Sequence, residues 1–236
     1  MREHPFSLGP RLRQCAAFVR PGRRVADIGT DHGYLPVWLT RRGICPHAIA
    51  ADINAGPLAR ARETADTYRA AELVELRLSD GLAALKRDEV DDIVIAGMGG
   101  ELIAAILGRA PWVQDEALQL VLQPMSHPEK LRAFLYKNGF DLIREETVLD
   151  GGRLYTVMLA AFAGRALSPS LEECYLGRLG ESVSPHTPAY LTRQTALLAK
   201  RKAGLSPEEG ERIDQVIHAL TEKAAALDLK QKEASL

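Results

Sequence analysis

The stretch Val25-Ala26-Asp27-Ile28-Gly29-Thr30-Asp31-His32-Gly33-Tyr34-Leu35 constrains the chain more than any other. An apolar run suited to a buried strand breaks into a turn that holds glycines and carboxylates. It leaves through Tyr34-Leu35-Pro36-Val37-Trp38-Leu39, which has helical spacing. Strand, acidic Gly-rich turn, helix is the pattern of a nucleotide-type site at the carboxyl end of a parallel strand, and glycine supplies the sharp turn. The spacing reads D-x-G-x-D-x-G and not G-x-G-x-x-G. A pyrophosphate needs bare N–H groups, whereas carboxylates suit a ligand that is cationic or presents ammonium and hydroxyl groups. S-adenosylmethionine (SAM) carries a sulfonium, an ammonium and a ribose, so the turn argues for SAM over NAD. Another nucleotide, or a purely structural turn, are the alternatives.

Later strands repeat the device. His47–Asp52 reads as a second strand ending in an acid. Asp52 can accept from both ribose hydroxyls of a nucleoside, or cap the helix expected over Ala55–Ala70. Val74–Leu78 ends in Ser79-Asp80-Gly81, which can take an exocyclic amine or form an ordinary Asp-Gly turn. Asp91–Ala96 is expected to stop at Gly97-Met98-Gly99-Gly100, a turn pressed close to a ligand, before a helix over Glu101–Leu107. That turn lacks the Asn/Asp-Pro-Pro-aromatic motif that holds an exocyclic amino group. The nucleophile expected is therefore a ring atom or some other group. Leu118–Leu122 runs to Gln123-Pro124-Met125, where Gln123 orients a base edge or caps the turn. A helix opens at Pro128 and closes at Asn138-Gly139. Phe140–Leu149 and Arg153–Ala161 alternate as a hairpin about Asp150-Gly151-Gly152.

These units predict one α/β domain over residues 1–164, a doubly wound sheet with an antiparallel last strand. From 165 to 236 the strand signals vanish. Leu171–Leu179, Pro188–Ala203 and Pro207–Leu229 read as helices, the last two joined tightly into a hairpin, with Ser206 and Glu209 as a capping box.

With a net charge of -1, the molecule as a whole exerts no pull on nucleic acid, so any such contact must be local. Arg11, Arg13, Arg20, Arg23 and Arg24 crowd a first helix (8–20) and the segment after it. Arg193, Lys200, Arg201 and Lys202 cluster in the tail. Each group is either a solvated face or a phosphate grip. Cys15, Cys45 and Cys174 have no metal or disulfide spacing. The start Met1-Arg2-Glu3-His4-Pro5 is polar, and no apolar run approaches a membrane span. The expectation is a soluble cytoplasmic protein, with the oligomeric state open and leaning to a monomer.

Asp27-Ile28-Gly29-Thr30-Asp31-His32-Gly33-Tyr34-Leu35-Pro36, Ala96-Gly97-Met98-Gly99-Gly100 and Leu122-Gln123-Pro124-Met125 together resemble the bacterial tRNA adenine-N1 methyltransferases that modify adenine 22, the TrmK-like family. Gly152-Arg153-Leu154-Tyr155 and the helical tail are also similar, while that family often carries Ala where Gly33 stands. The resemblance implies a Rossmann-type class I SAM methyltransferase domain and a C-terminal coiled-coil-like domain that helps hold tRNA. It implies methyl transfer from SAM to N1 of adenine 22, with no metal. Expected to hold SAM are Asp27, Gly29, Thr30, Asp31, Gly33, Asp52, Asp80, Gly81, Gly97, Met98, Gly99 and Gly100. Asp31, His32, Gln123 and Tyr155 are expected to place the adenine, His32 being alternatively structural. Arg11, Arg13, Arg23, Arg193, Lys200 and Arg201 are expected to contact RNA. The competing readings are a SAM methyltransferase acting on a small molecule or protein, and a non-catalytic SAM- or RNA-binding scaffold.

Overall fold

A computed structural model describes residues 6–233; the polar start Met1–Pro5, Glu3 included, lies outside them. The strands are β1 (Val25–Ile28), β2 (Ala48–Asp52), β3 (Val74–Leu78), β4 (Asp92–Gly99), β5 (Gln119–Ser126), β6 (Phe140–Asp150) and β7 (Arg153–Phe162). They form one sheet in the order β3-β2-β1-β4-β5-β7-β6. The first five are parallel, and β7 runs antiparallel between β5 and β6. The carboxyl ends of β1 to β5 therefore share one edge of the sheet.

The helices are α1 (Pro10–Phe18), α2 (Tyr34–Arg41), α3 (Ala55–Thr67), α4 (Gly100–Gly108), α5 (Pro128–Lys137), α6 (Leu171–Leu176), α7 (Thr187–Lys202) and α8 (Pro207–Glu233). Alternation along β4 explains why both faces of the sheet are covered. Ile93 and Ile95 join Ile103, Leu107, Leu131 and Leu135 in one buried cluster with α4 and α5. Val94, between them, joins Cys15, Phe18, Leu35 and Leu39 on the side of α1 and α2. Each such side chain fully removed from water contributes about 1.5–3 kcal/mol before entropy is charged against it.

α1 crosses the sheet from its carboxyl edge to its amino edge. Arg11 near its start reaches Gln123 at the end of β5, while beyond its end Arg20 donates to Asp92 at 2.7 Å and Arg24 to Asp91 at 3.0 Å. The Arg24 guanidinium holds the Asp91 carboxyl down at about 2. The basic run expected as one patch is thus split between opposite ends of the sheet.

α7 and α8 pack as a helical hairpin over a third cluster that contains Leu191, Leu198, Ile213, Val216, Leu220 and Leu227. A buried ion pair fastens this hairpin, through α6, to the sheet. Arg132 of α5 donates from Nη2 to Glu145 Oε1 of β6 at 2.7 Å. Its Nη1 donates to the carbonyls of Cys174 and Tyr175 at 2.8 and 2.9 Å. Both side chains of the pair are at most 1% exposed.

Several boundaries differ from expectation: α1 covers 10–18 and not 8–20, α3 ends at Thr67 and not Ala70, and α8 runs on to Glu233. β4 does not stop at Ala96 but continues through Gly99, and β5 continues through Ser126, because one-residue bulges at Gly97 and Met125 let the pairing resume. α6 ends at Leu176, before Gly177, and a 3-10 turn takes up Leu179–Glu181.

Candidate active site

The carboxyl edge of the sheet carries two adjoining cavities. The first, about 330 Å³, is lined by the β1 turn (Asp27, Gly29, Thr30, Asp31, His32) together with Arg11, Tyr34, Ala96 and Gly97. The second, about 400 Å³, lies between α7 and the ends of β5 and β7, lined by Met125, His127, Arg153, Tyr155, Tyr175, Tyr190, Arg193 and Arg201 among others. Both fall in the size range of small-ligand sites.

Asp27 is the central group of the first cavity. Its side chain is drawn into the sheet by the strand and is only 5% exposed. Thr30 donates its hydroxyl to Asp27 Oδ2 at 2.7 Å, and no basic side chain among the described residues pairs with the carboxylate. Burial pushes the Asp27 carboxyl up to about 6, against the Thr30 hydrogen bond, with Asp52 adding to the rise. A buried acid without a basic partner is costly when ionised, and a cationic group placed beside it would relieve that cost. The turn is held open by the backbone: Gly29 and Thr30 N–H both donate to Ala51 O, at 2.8 and 3.0 Å. Gly33 caps α2 at φ 66°, and a Cβ there would lie 2.9 Å from Ala61 Cβ of α3.

The other acids stand along the same edge. Asp52 Oδ1 accepts from Asn54 N at 2.9 Å, which orients the carboxylate at the strand end. Asp80 is exposed and takes both Nη atoms of Arg109, at 2.8 and 3.1 Å. Gly81 follows at φ 58°. Asp31 is exposed, at φ 47°, and is paired with Arg60 and His32. The His32 ring stacks on Tyr34 with centroids 5.2 Å apart and planes 7° from parallel. Exposed Ile53 and Leu78, adjacent to Asp52 and Ser79, add apolar surface that the sequence reading passed over.

The Gly97–Gly100 segment is strand and helix start, not a free turn. Gly97 is the bulged residue, at φ 82°, and its N–H leaves the ladder to donate to Gln123 Oε1 at 3.1 Å. Met98 turns over the β1 turn, its Cε placed where a Cβ on Gly29 would be 2.1 Å away. Gly99 pairs with Ser126, and Gly100 opens α4.

Gln123 is fully buried. Its Oε1 accepts from Gly97 and from Arg11, and its Nε2 donates to Pro124 O at 3.0 Å. Both ends of its amide are thus engaged within the protein in this structure, the arrangement expected of a turn-capping glutamine. Tyr155 is half-buried under the Arg11 guanidinium, 5.3 Å from its ring centroid.

Of the residues expected to meet RNA, Arg193 and Arg201 line the second cavity, each with a neutral oxygen as its partner: Leu154 O and Tyr175 Oη, both at 3.4 Å. Lys200 is exposed on α7 outside that lining. Arg13 caps the Ser7–Leu8 segment. Arg23 is exposed at the amino end of β1, across the sheet from both cavities, so it does not join them. Arg153, which joins them, was missed. It stands two residues before Tyr155 on a strand and so shares its face, and that spacing was available in the sequence. Among the described residues there is no His/Cys/Asp/Glu group able to hold a metal, and no helix long and apolar enough to cross a membrane.

The geometry agrees with the comparisons. Residues 8–158 match a methyltransferase domain family. The tRNA (adenine(22)-N(1))-methyltransferase of Bacillus subtilis is 36% identical over 160 residues, 68% of this chain and 67% of that protein. The crystal structure of the B. subtilis M1A22 tRNA methyltransferase TrmK superposes with a TM-score of 0.77 at 27% identity, covering 94% of this chain and 99% of the other. A Streptococcus pneumoniae protein described as a candidate tRNA (m1A22) methyltransferase, solved with S-adenosyl-L-methionine, gives 0.78 at 30% identity over 91% and 98%. The chain belongs to the family of tRNA (adenine-22-N1)-methyltransferases, built on a methyltransferase domain.

Proposed function

We propose that this chain transfers the methyl group of SAM to N1 of adenine 22 in tRNA. The observation that carries the reading is Asp27, a buried carboxylate without a cationic partner, facing a cavity that adjoins a second one rich in arginine and tyrosine.

The residues present fit SAM. Asp27 and Thr30 would hold its ammonium, Asp52 its ribose hydroxyls, and Asp80 and Gly81 its adenine end. Gly29, Gly33 and the Gly97–Gly100 backbone would let it lie close. When bound, SAM supplies an electrophilic methyl group on a sulfonium leaving group. Adenine N1 carries its own lone pair, so the protein need not activate a nucleophile, and its contribution is alignment. His32, braced by Tyr34, and Tyr155, braced by Arg11, offer flat surfaces on either side of the junction of the two cavities. Asp31, exposed beside them, accepts from N6 and stabilises the cation that develops on the base.

Arg153, Arg193 and Arg201 make the second cavity a site for the phosphates of the strand that carries the target. The base must leave its stack to reach the first cavity, and shape and backbone contacts then select the tRNA. The helical segment 165–236 works as the tRNA-holding domain on the catalytic domain 1–164.

Methyl transfer from labelled SAM to unmodified tRNA transcripts, with adenine 22 present or replaced by guanine, tests the reading. Label at N1 of adenine in the first transcript and none in the second is expected. No transfer to either, with SAM binding confirmed by calorimetry, would overturn the tRNA assignment.

A further inference from the structure

We infer that Arg11 is a positioning residue for methyl transfer, tying the Tyr155 surface to the Gly97 bulge, and is not a phosphate contact. The inference rests on the function proposed above and concerns how its two cavities are held in register.

The sequence groups Arg11 with other arginines on one basic face. The structure engages it internally. Nε donates to Asp150 Oδ2 at 2.9 Å, at the tip of the β6–β7 hairpin. Nη1 donates to Gln123 Oε1 at 2.9 Å and to Met125 Sδ at 3.3 Å. The guanidinium plane covers the Tyr155 ring at 5.3 Å, within cation–π range. Gln123 Oε1 is the same atom that receives the Gly97 N–H, and its amide is oriented by its bond to Pro124 O. A continuous polar chain thus runs from Asp150 through Arg11 and Gln123 to the backbone of Gly97.

That chain stands between the two cavities. Arg11 and Gly97 line the first, and Met125 and Tyr155 line the second. The methyl group has to pass where they meet, and alignment there is sensitive to displacements of about 1 Å. The bulges at Gly97 and Met125 interrupt the β4–β5 ladder at this place, so side-chain bonds replace backbone ones. A planar fork can hold Asp150 and Gln123 at once while lying flat on a ring. A lysine ammonium offers a point charge and cannot do all three.

The test compares full-length Arg11→Ala and Arg11→Lys with the wild type. Tethering predicts that kcat on the adenine-22 transcript falls about 10- to 100-fold in both variants. SAM affinity and tRNA affinity stay within about 3-fold, and the salt slope of tRNA binding is unchanged. Without substrate, hydrogen exchange quickens at Gly97 and over residues 149–154 and not elsewhere in the sheet. A phosphate contact would instead weaken tRNA binding and lower the salt slope by about 1, with kcat retained. That result, full rescue by lysine, or unchanged exchange at the hairpin each overturns the inference. A wild type inactive on the transcript would refute the methyltransferase reading alone, and the exchange data would still decide the tether.

Discussion

Asp27→Asn should stabilise the cofactor-free protein while abolishing its cofactor binding. Burial pushes the carboxyl up from its ordinary value of 3.8 to about 6. Its raised folded value means that the folded state holds the proton more tightly than the unfolded chain. The stability this confers is complete below about pH 4 and is lost as pH rises through about 6. Above pH 7 the ionised, buried group therefore costs the empty protein about 3 kcal/mol, at about 1.4 kcal/mol per unit. Asparagine keeps the shape and can still accept from Thr30, so it removes that cost. Desolvating its amide takes back about 1 kcal/mol. The remainder, about 2 kcal/mol, raises Tm by about 4–8 °C for a chain of this length.

Thermal unfolding at pH 7.5 and pH 5, with and without SAM, measures this. Without SAM the variant should melt higher at pH 7.5, and its advantage should shrink to roughly a third at pH 5, where the wild-type carboxyl is largely protonated. With SAM at about 100 times its Kd the wild type should gain about 2.7 kcal/mol and the variant almost nothing. In the wild type, SAM affinity should strengthen as pH climbs through about 6 and level off above about 7.5. A cofactor-free variant that melts lower at pH 7.5, or one that keeps the SAM-dependent shift, would refute the assignment of Asp27 as an unpaired receptor for a cation.

Replacing Arg193 and Arg201 together by alanine should weaken tRNA binding about 10-fold or more and take about 2 from the log–log salt slope, read by filter binding at several salt concentrations; an unchanged slope would remove them from the grip. Arg132→Met leaves Glu145 buried without its cation, so denaturant unfolding should show a loss of about 3–5 kcal/mol, only part of it recovered when Glu145→Leu is added, because the Cys174 and Tyr175 carbonyls and the Thr156 hydroxyl lose their partners. Gly33→Ala should cost about 1–2 kcal/mol in thermal unfolding, because φ is 66° and Ala61 stands in the way; a neutral result would mean that α2 and α3 part more easily than their packing indicates.

The parts of the fold that were legible in the sequence are those whose signal is local. Ile93-Val94-Ile95 is a continuous apolar run because it is buried on both faces, and such runs mark parallel strands. The acids at Asp27, Asp52 and Asp80 announce themselves because each stands at or within two residues of a strand's carboxyl end, and the topology then brings all three to one edge. What escaped depends on partners far along the chain. Gly97 followed by more glycine reads as a turn, yet the segment stays in the sheet because Gln123 takes the N–H that the bulge releases. Arg132 on its helix has the pattern of a solvated charge; its burial follows from Glu145 and two carbonyls of α6, and periodicity does not encode that match. Arg11 is the sharpest case, since its partner Asp150 lies 139 residues away. A charged side chain near one end of a helix carries the same local signal whether it meets a phosphate or a hairpin tip. The difference lies in what the rest of the fold brings to it. Here the fold brings a carboxylate, an amide and an aromatic ring, which engage Nε, Nη1 and the face of the guanidinium together.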